Sequence, residues 1–162
     1  MWLFLKTLAF TIVAPATIGT FLPRYLAARS AAAPGDAAWH FLAGLPLLVG
    51  AATYLWCAWD FMTFGKGTPA PIDAPVRLVV HGLYRAVRNP MYVGVLLMVL
   101  GWAIYYRSTD LLVYAVGLAA VFHTFVLLYE EPALTRRFGA SYALYCRQVH
   151  RWIPRPPTAR RA

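Results

Sequence analysis

The chain has 162 residues; 60% are apolar, 13% are charged, and 15 Lys and Arg against 6 Asp and Glu give a formal charge of +9. So much apolar side chain excludes a disordered chain, and a soluble single domain of this length lacks the interior to hide it. Nucleic-acid binding is disfavoured as well, because long stretches carry no charge at all and the basic residues are not interleaved through a soluble fold. An all-α integral membrane protein with basic flanks in the lipid bilayer is what remains, with about four transmembrane helices.

The first apolar run, residues 1–22, has Lys6 near its start and Pro15 inside it. Proline is tolerated in a membrane helix where neighbours satisfy the carbonyl it frees. A cleaved signal peptide fits poorly, since five apolar residues precede Lys6 and the run is too long. The second span covers 39–64, between Pro34-Gly35-Asp36 and Gly65-Lys66-Gly67. Trp39, Trp56 and Trp59 lie near its ends, where amphipathic rings prefer the interface. The run Thr68-Pro69-Ala70-Pro71 with Pro75 is too stiff for a membrane helix and reads as a linker, a lid or a wall.

Asn89-Pro90 opens a third span, 90–106, as a favoured cap followed by a proline in the first helical position. The fourth, 111–129, follows Arg107-Ser108-Thr109-Asp110, so the two form a tight antiparallel hairpin. At ~1.5 Å per residue they reach about 25 and 28 Å, slightly short of a membrane core. After Pro132, Leu134, Phe138, Tyr142 and Tyr145 recur at helical spacing, with Arg136, Arg137 and Arg147 elsewhere on the wheel. That pattern predicts a C-terminal amphipathic interfacial helix. The basic tail, 156–162, is expected to be disordered. Cys57 and Cys146 are not in a CxxC spacing and read as unpaired thiols, with no metal site.

Lys66, Arg77, Arg85 and Arg88 lie between spans two and three, and Arg136, Arg137, Arg147, Arg151, Arg155, Arg160 and Arg161 follow span four. Arg24, Arg29 and Arg107 fall in the other two connectors. The imbalance places both termini in the cytoplasm.

Chemistry is concentrated after residue 65. The first free N–H groups of span three favour an anion. The hairpin returns Glu130-Glu131 to that same membrane face, close to Arg88-Asn89-Pro90-Met91-Tyr92. Two adjacent carboxylates there are costly unless they meet a cation or water. A plain reading is a salt bridge to Arg85 or Arg88 that anchors the hairpin. His81 beside Gly82 is a titrating group on a turn, and His123, seven residues before Glu130, falls on roughly the same helix face. Asp60 is either a further polar contributor or an interfacial residue.

The ordered set Gly82-Leu83-Tyr84-Arg85, Arg88-Asn89-Pro90-Met91-Tyr92-Val93-Gly94, Glu130-Glu131 with Leu134, Phe138-Gly139 with Tyr142 and Tyr145, and Pro154-Arg155 resembles the isoprenylcysteine carboxyl methyltransferase family, part of a wider group with the phospholipid methyltransferases. The resemblance covers about 65–155, over half the chain, and gives no signature to the two N-terminal helices in 1–64. It implies an S-adenosylmethionine-dependent methyltransferase embedded in the membrane, without a Rossmann domain, whose cofactor pocket faces the cytoplasm and whose lipophilic substrate enters from the bilayer. The family's cofactor contacts map to Tyr84, Asn89, Pro90, Met91, Tyr92 and one of Glu130 and Glu131, with Val76, Arg77, Leu78 and Val79 as a backbone-contact stretch.

The cofactor's groups then find partners of suitable chemistry: a Glu for its ammonium, Arg88 and the span-three N-terminus for its carboxylate, and Tyr84 or Tyr92 for its sulfonium. A carboxylate or thiolate acceptor needs no base; an amine or thiol needs one, with His81 and His123 as candidates. Many members carry His where Asn89 stands here, which removes a titrating role at that position and keeps hydrogen bonding. Eukaryotic members carry an Arg one turn before the acidic pair, whereas residues 126–129 read Val-Leu-Leu-Tyr. That departure disfavours a prenylcysteine carboxylate as acceptor. Two other readings stay open: a membrane reductase using NADPH, with Arg85 and Arg88 for the extra phosphate, and a non-enzymatic membrane scaffold.

Overall fold

The computed structural model describes residues 2–30, 32–65 and 76–154. The proline-rich run through Pro75 and the tail from Arg155 onward lie outside the described residues. Among those described, the regular secondary structure is all helical, with one isolated bridge, Val87 to His150. Helix α1 covers Trp2–Arg29, α2 Ala37–Gly65, α3 Pro90–Tyr105, α4 Thr109–Phe138 and α5 Ala140–Gln148. A short 3-10 turn, Gly82–Arg85, precedes α3. Helices α1, α2 and α4 are long and apolar enough to cross a membrane, while the equally apolar α3 has 16 residues.

Helices α2 and α3 form the tightest pair, and two glycines explain why. A Cβ on Gly50 would stand 2.5 Å from the Gly94 carbonyl oxygen, and one on Gly94 2.8 Å from that of Gly50. Backbones approach this closely only where both side chains are absent. On this pair α1 and α4 close a core of Tyr54, Val95, Val99 and Leu118, with Ile18 packed against it.

The end of the bundle formed by the short connectors is fastened by caps. Asp36 accepts from the Ala38 and Trp39 N–H groups at 3.0 and 3.4 Å, and the Gly35 N–H reaches the Tyr105 carbonyl at 2.8 Å. Ser108 accepts the Leu111 N–H at 3.4 Å and starts α4. Arg24 lies over the Trp102 ring and Arg107 over Trp39, as interfacial cations on amphipathic rings do.

Proline does not end the spans as the sequence suggested. Helix α4 was expected to stop at 129 and a separate amphipathic helix to start after Pro132, but one helix runs through to Phe138. The reason is a π-helical turn at Val126–Glu130, in which the Glu131 N–H bonds the Val126 carbonyl five residues back. The wider turn relieves the clash that a proline ring makes with the carbonyl four residues earlier. In α1, Pro15 likewise sits in a π-helical stretch, Ile12–Phe21, and the run predicted to end at 22 continues to Arg29. The break instead falls at Gly139, whose φ of +50° suits glycine. Beyond it Tyr142 and Tyr145 of α5, with Val149 just after it, pack against Leu78, Leu134 and Phe138.

Candidate functional site

A cavity of about 460 Å³ opens where the start of α3, the π turn of α4 and α5 meet. Its apolar wall comes from Phe10, Ala14, Pro15 and Ile18 of α1 and from Val121, Phe122 and Phe125 of α4. Its polar end holds Arg88, Asn89, Tyr92, Glu130 and Glu131, with Tyr84, Tyr142 and Tyr145 beside them. Of the residues singled out in the sequence, Leu78, Val79, Tyr84, Arg88, Asn89, Met91, Tyr92, Glu130 and Glu131 line this one space. Val76 and Arg77 are exposed and do not; their N–H groups bond the Gly65 carbonyl at 3.0 and 3.4 Å. Pro90 is buried as the first residue of α3 and does not line the space either.

The two acidic neighbours have different partners. Glu131 receives a two-pronged contact from Arg151, 2.7 Å from Nε to Oε1 and 2.9 Å from Nη2 to Oε2. Its Oε1 also meets the Arg88 Nη1 at 3.2 Å. This is the anchoring salt bridge weighed from the sequence, with Arg151 added and Arg85 absent. Glu130 meets no cation among the described residues; the Tyr92 hydroxyl donates to its Oε1 at 2.8 Å.

Arg88 spans two elements. Its Nη1 donates to the Cys146 Sγ at 2.7 Å as well as meeting Glu131, while its buried Nε finds no partner. Asn89 does not cap α3 with its side chain. Its Nδ2 donates to the Arg151 carbonyl at 3.2 Å instead, and the Arg88 N–H bonds the His150 carbonyl at 2.8 Å. The segment 149–152 thus straps the start of α3 to α4. The strap depends on the chain turning back after α5, a path that local spacing does not dictate.

Tyr145 donates its hydroxyl to the Tyr84 carbonyl at 2.7 Å, fixing the 3-10 turn against α5. Burial pushes the Tyr84, Tyr142 and Tyr145 hydroxyls above the usual tyrosine range, so they meet the cavity as neutral groups.

Neither candidate histidine lines the cavity. His81 stacks on Phe64 with ring centres 4.0 Å apart, and its Nδ1 lies 3.6 Å from Asp60, which is itself buried. The His123 Nδ1 accepts the Trp152 indole N–H at 3.0 Å. The π turn inserts a residue between His123 and Glu130, so a seven-residue spacing no longer stacks them on one face. The α1 wall went unnoticed in the sequence; Pro15 within an apolar run was its one signal.

No curated protein and no solved structure matches the chain. Residues 38–141 match the family model for phospholipid methyltransferases. The match takes in α2, to which the sequence patterns assigned no signature, and it ends just beyond Gly139, leaving the strap outside it. With more than half the chain matched over the helices that carry the acidic pair and Asn89-Pro90, the protein belongs to the phospholipid methyltransferase family, within the isoprenylcysteine carboxyl methyltransferase-like group of membrane methyltransferases.

Proposed function

We propose that the protein is an S-adenosylmethionine-dependent methyltransferase acting on a lipophilic small molecule or lipid that reaches the cavity from the bilayer. The observation that carries this reading is one cavity with a carboxylate unmatched by a cation and an incompletely paired guanidinium at one end and an apolar wall at the other. Glu130 is a carboxylate without a cation, and the Arg88 Nε is a buried donor without an acceptor. Together they suit the ammonium and carboxylate of the cofactor's amino-acid moiety. The volume falls within the range of small-molecule sites, ~300–1,000 Å³.

When bound, the cofactor supplies a methyl group on a sulfonium centre. The chain's own part is binding, orientation and exclusion of water. Met91 and Tyr92 offer first-turn N–H groups that Asn89 leaves uncapped, which suits an anion. The Tyr84 and Tyr92 rings suit a cationic sulfur. The α1 and α4 wall holds a lipophilic acceptor by contact, and positioning nucleophile against methyl carbon is the main catalytic demand. Both arginines near the polar end are engaged by Glu131, and Val126 and Tyr129 present no charge. The acceptor is therefore expected to carry a small or weakly charged reacting group, and a prenylcysteine carboxylate to react poorly.

The test is incubation of the purified protein in native lipids with methyl-labelled S-adenosylmethionine, followed by identification of the labelled product. Label in a lipid-soluble molecule is the expected result. No transfer to any extractable lipid, or transfer to a farnesylcysteine analogue as fast as to the best lipid, would overturn the reading of activity or of acceptor respectively.

A further inference from the structure

We infer that Arg151 is a positioning residue of this site, keeping a net positive charge on Arg88 for an anionic group in the cavity. The inference rests on the cofactor reading above. Arg151 does not line the cavity, yet it holds Glu131 through both carboxylate oxygens at 2.7 and 2.9 Å. Its backbone carbonyl is held in turn by Asn89, which does line it.

Charge counting gives the role. Two guanidinium groups and one carboxylate leave the trio Arg88, Glu131 and Arg151 with one positive charge. Glu130 faces the same cavity with one negative charge, and its contact, the Tyr92 hydroxyl, is neutral. A site with one separated charge of each sign is complementary to a zwitterion, here an ammonium and a carboxylate on one carbon. Without Arg151, Glu131 would be free to neutralise Arg88 alone, and the anionic half of the ligand would lose its partner. The Cys146 Sγ, the other acceptor on the Arg88 Nη1, does not compensate, because a thiol is a weak acceptor.

The experiment compares S-adenosylmethionine with its decarboxylated analogue, which keeps the ammonium, sulfonium and adenosine. Affinities are measured by calorimetry on the full chain in lipid nanodiscs, for the parent and for Arg151→Met, Arg151→Gln and Arg151→Lys. The parent is expected to prefer the carboxylated ligand about tenfold, as a charge-assisted hydrogen bond implies. Both neutral variants should lose that preference by weakening S-adenosylmethionine alone, and Arg151→Lys should recover most of it. A structural role for Arg151 would weaken both ligands alike. That result, an unchanged preference in the neutral variants, or failure of both neutral variants to fold would overturn the inference. If the parent binds the cofactor but shows no preference, the inference fails and the cofactor reading stands; if it binds neither ligand, that reading fails first.

Discussion

Glu130 and Glu131 are adjacent in sequence and separate in chemistry. One is spent on two arginines and the other on a neutral hydroxyl. Glu130→Gln is therefore expected to weaken S-adenosylmethionine binding at least tenfold with the melting temperature little changed, since no cation loses its partner. Glu131→Gln leaves two arginines under-compensated and is expected to cost about 2 kcal/mol of stability. Calorimetry and thermal unfolding in detergent, run on both variants, separate the two roles; equal losses of affinity at unchanged stability would contradict the division. Tyr84 adds a pH dependence. Burial raises its hydroxyl well above the ordinary value, so the stability held in its neutral form is complete below ~pH 10 and is lost as pH climbs toward the raised value. Unfolding temperature should fall at alkaline pH in the parent and fall less in Tyr84→Phe.

At the scale of elements, the π turn of α4 is the feature that aims the acidic pair. Glu130 closes the turn, and Pro132 sits one residue into the helix that follows. Replacing Pro132 with Ala restores the missing N–H and removes the clash that favours the wider turn. A regular helix there rotates Glu130 by about 100° relative to the preceding span. Pro132→Ala is expected to keep or raise thermal stability while losing cofactor affinity; retention of full affinity would show that the turn does not depend on the proline. The α2–α3 pair supplies the frame beneath. Gly94→Val places atoms against the Gly50 carbonyl and Thr53, and is expected to destabilise the bundle by ~1–3 kcal/mol, read from thermal unfolding.

The whole molecule has two unlike ends. Arg24, Arg29 and Arg107 mark the end with the short connectors, and Arg24 and Arg107 there lie on tryptophan rings. Arg77, Arg85, Arg88, Arg136, Arg137, Arg147 and Arg151 gather at the end that carries the cavity's polar groups. By its excess of Arg and Lys that end is expected to face the cytoplasm, as the proposed use of a water-soluble cofactor requires. A cysteine placed at Arg77 should react with a membrane-impermeant reagent only from the cytoplasmic side, and one placed at Arg107 only from the other. The reverse pattern would overturn the orientation and the cytosolic route to the cavity.

Composition and hydropathy alone dictate the all-helical membrane class, because 60% apolar side chain in so short a chain has no other place to go. The hairpin at Arg107 to Asp110, the helix start at Pro90 and the approach of Glu130-Glu131 to Arg88, Asn89 and Tyr92 were also legible, since local spacing and a short connector force them near one another, while Tyr84 entered the set through the family resemblance. Three features were decided only by the tertiary structure. Pro132 reads as a helix stop because the sequence does not show that a π turn can absorb its ring. His123 reads as a neighbour of Glu130 because a 3.6-residue period does not anticipate the inserted residue. The separate fates of Glu130 and Glu131 depend on Arg151, which reaches Glu131 only after α5 and the strap turn back across the start of α3. Local sequence sets which groups can pair; the path of the chain sets which of them are already taken.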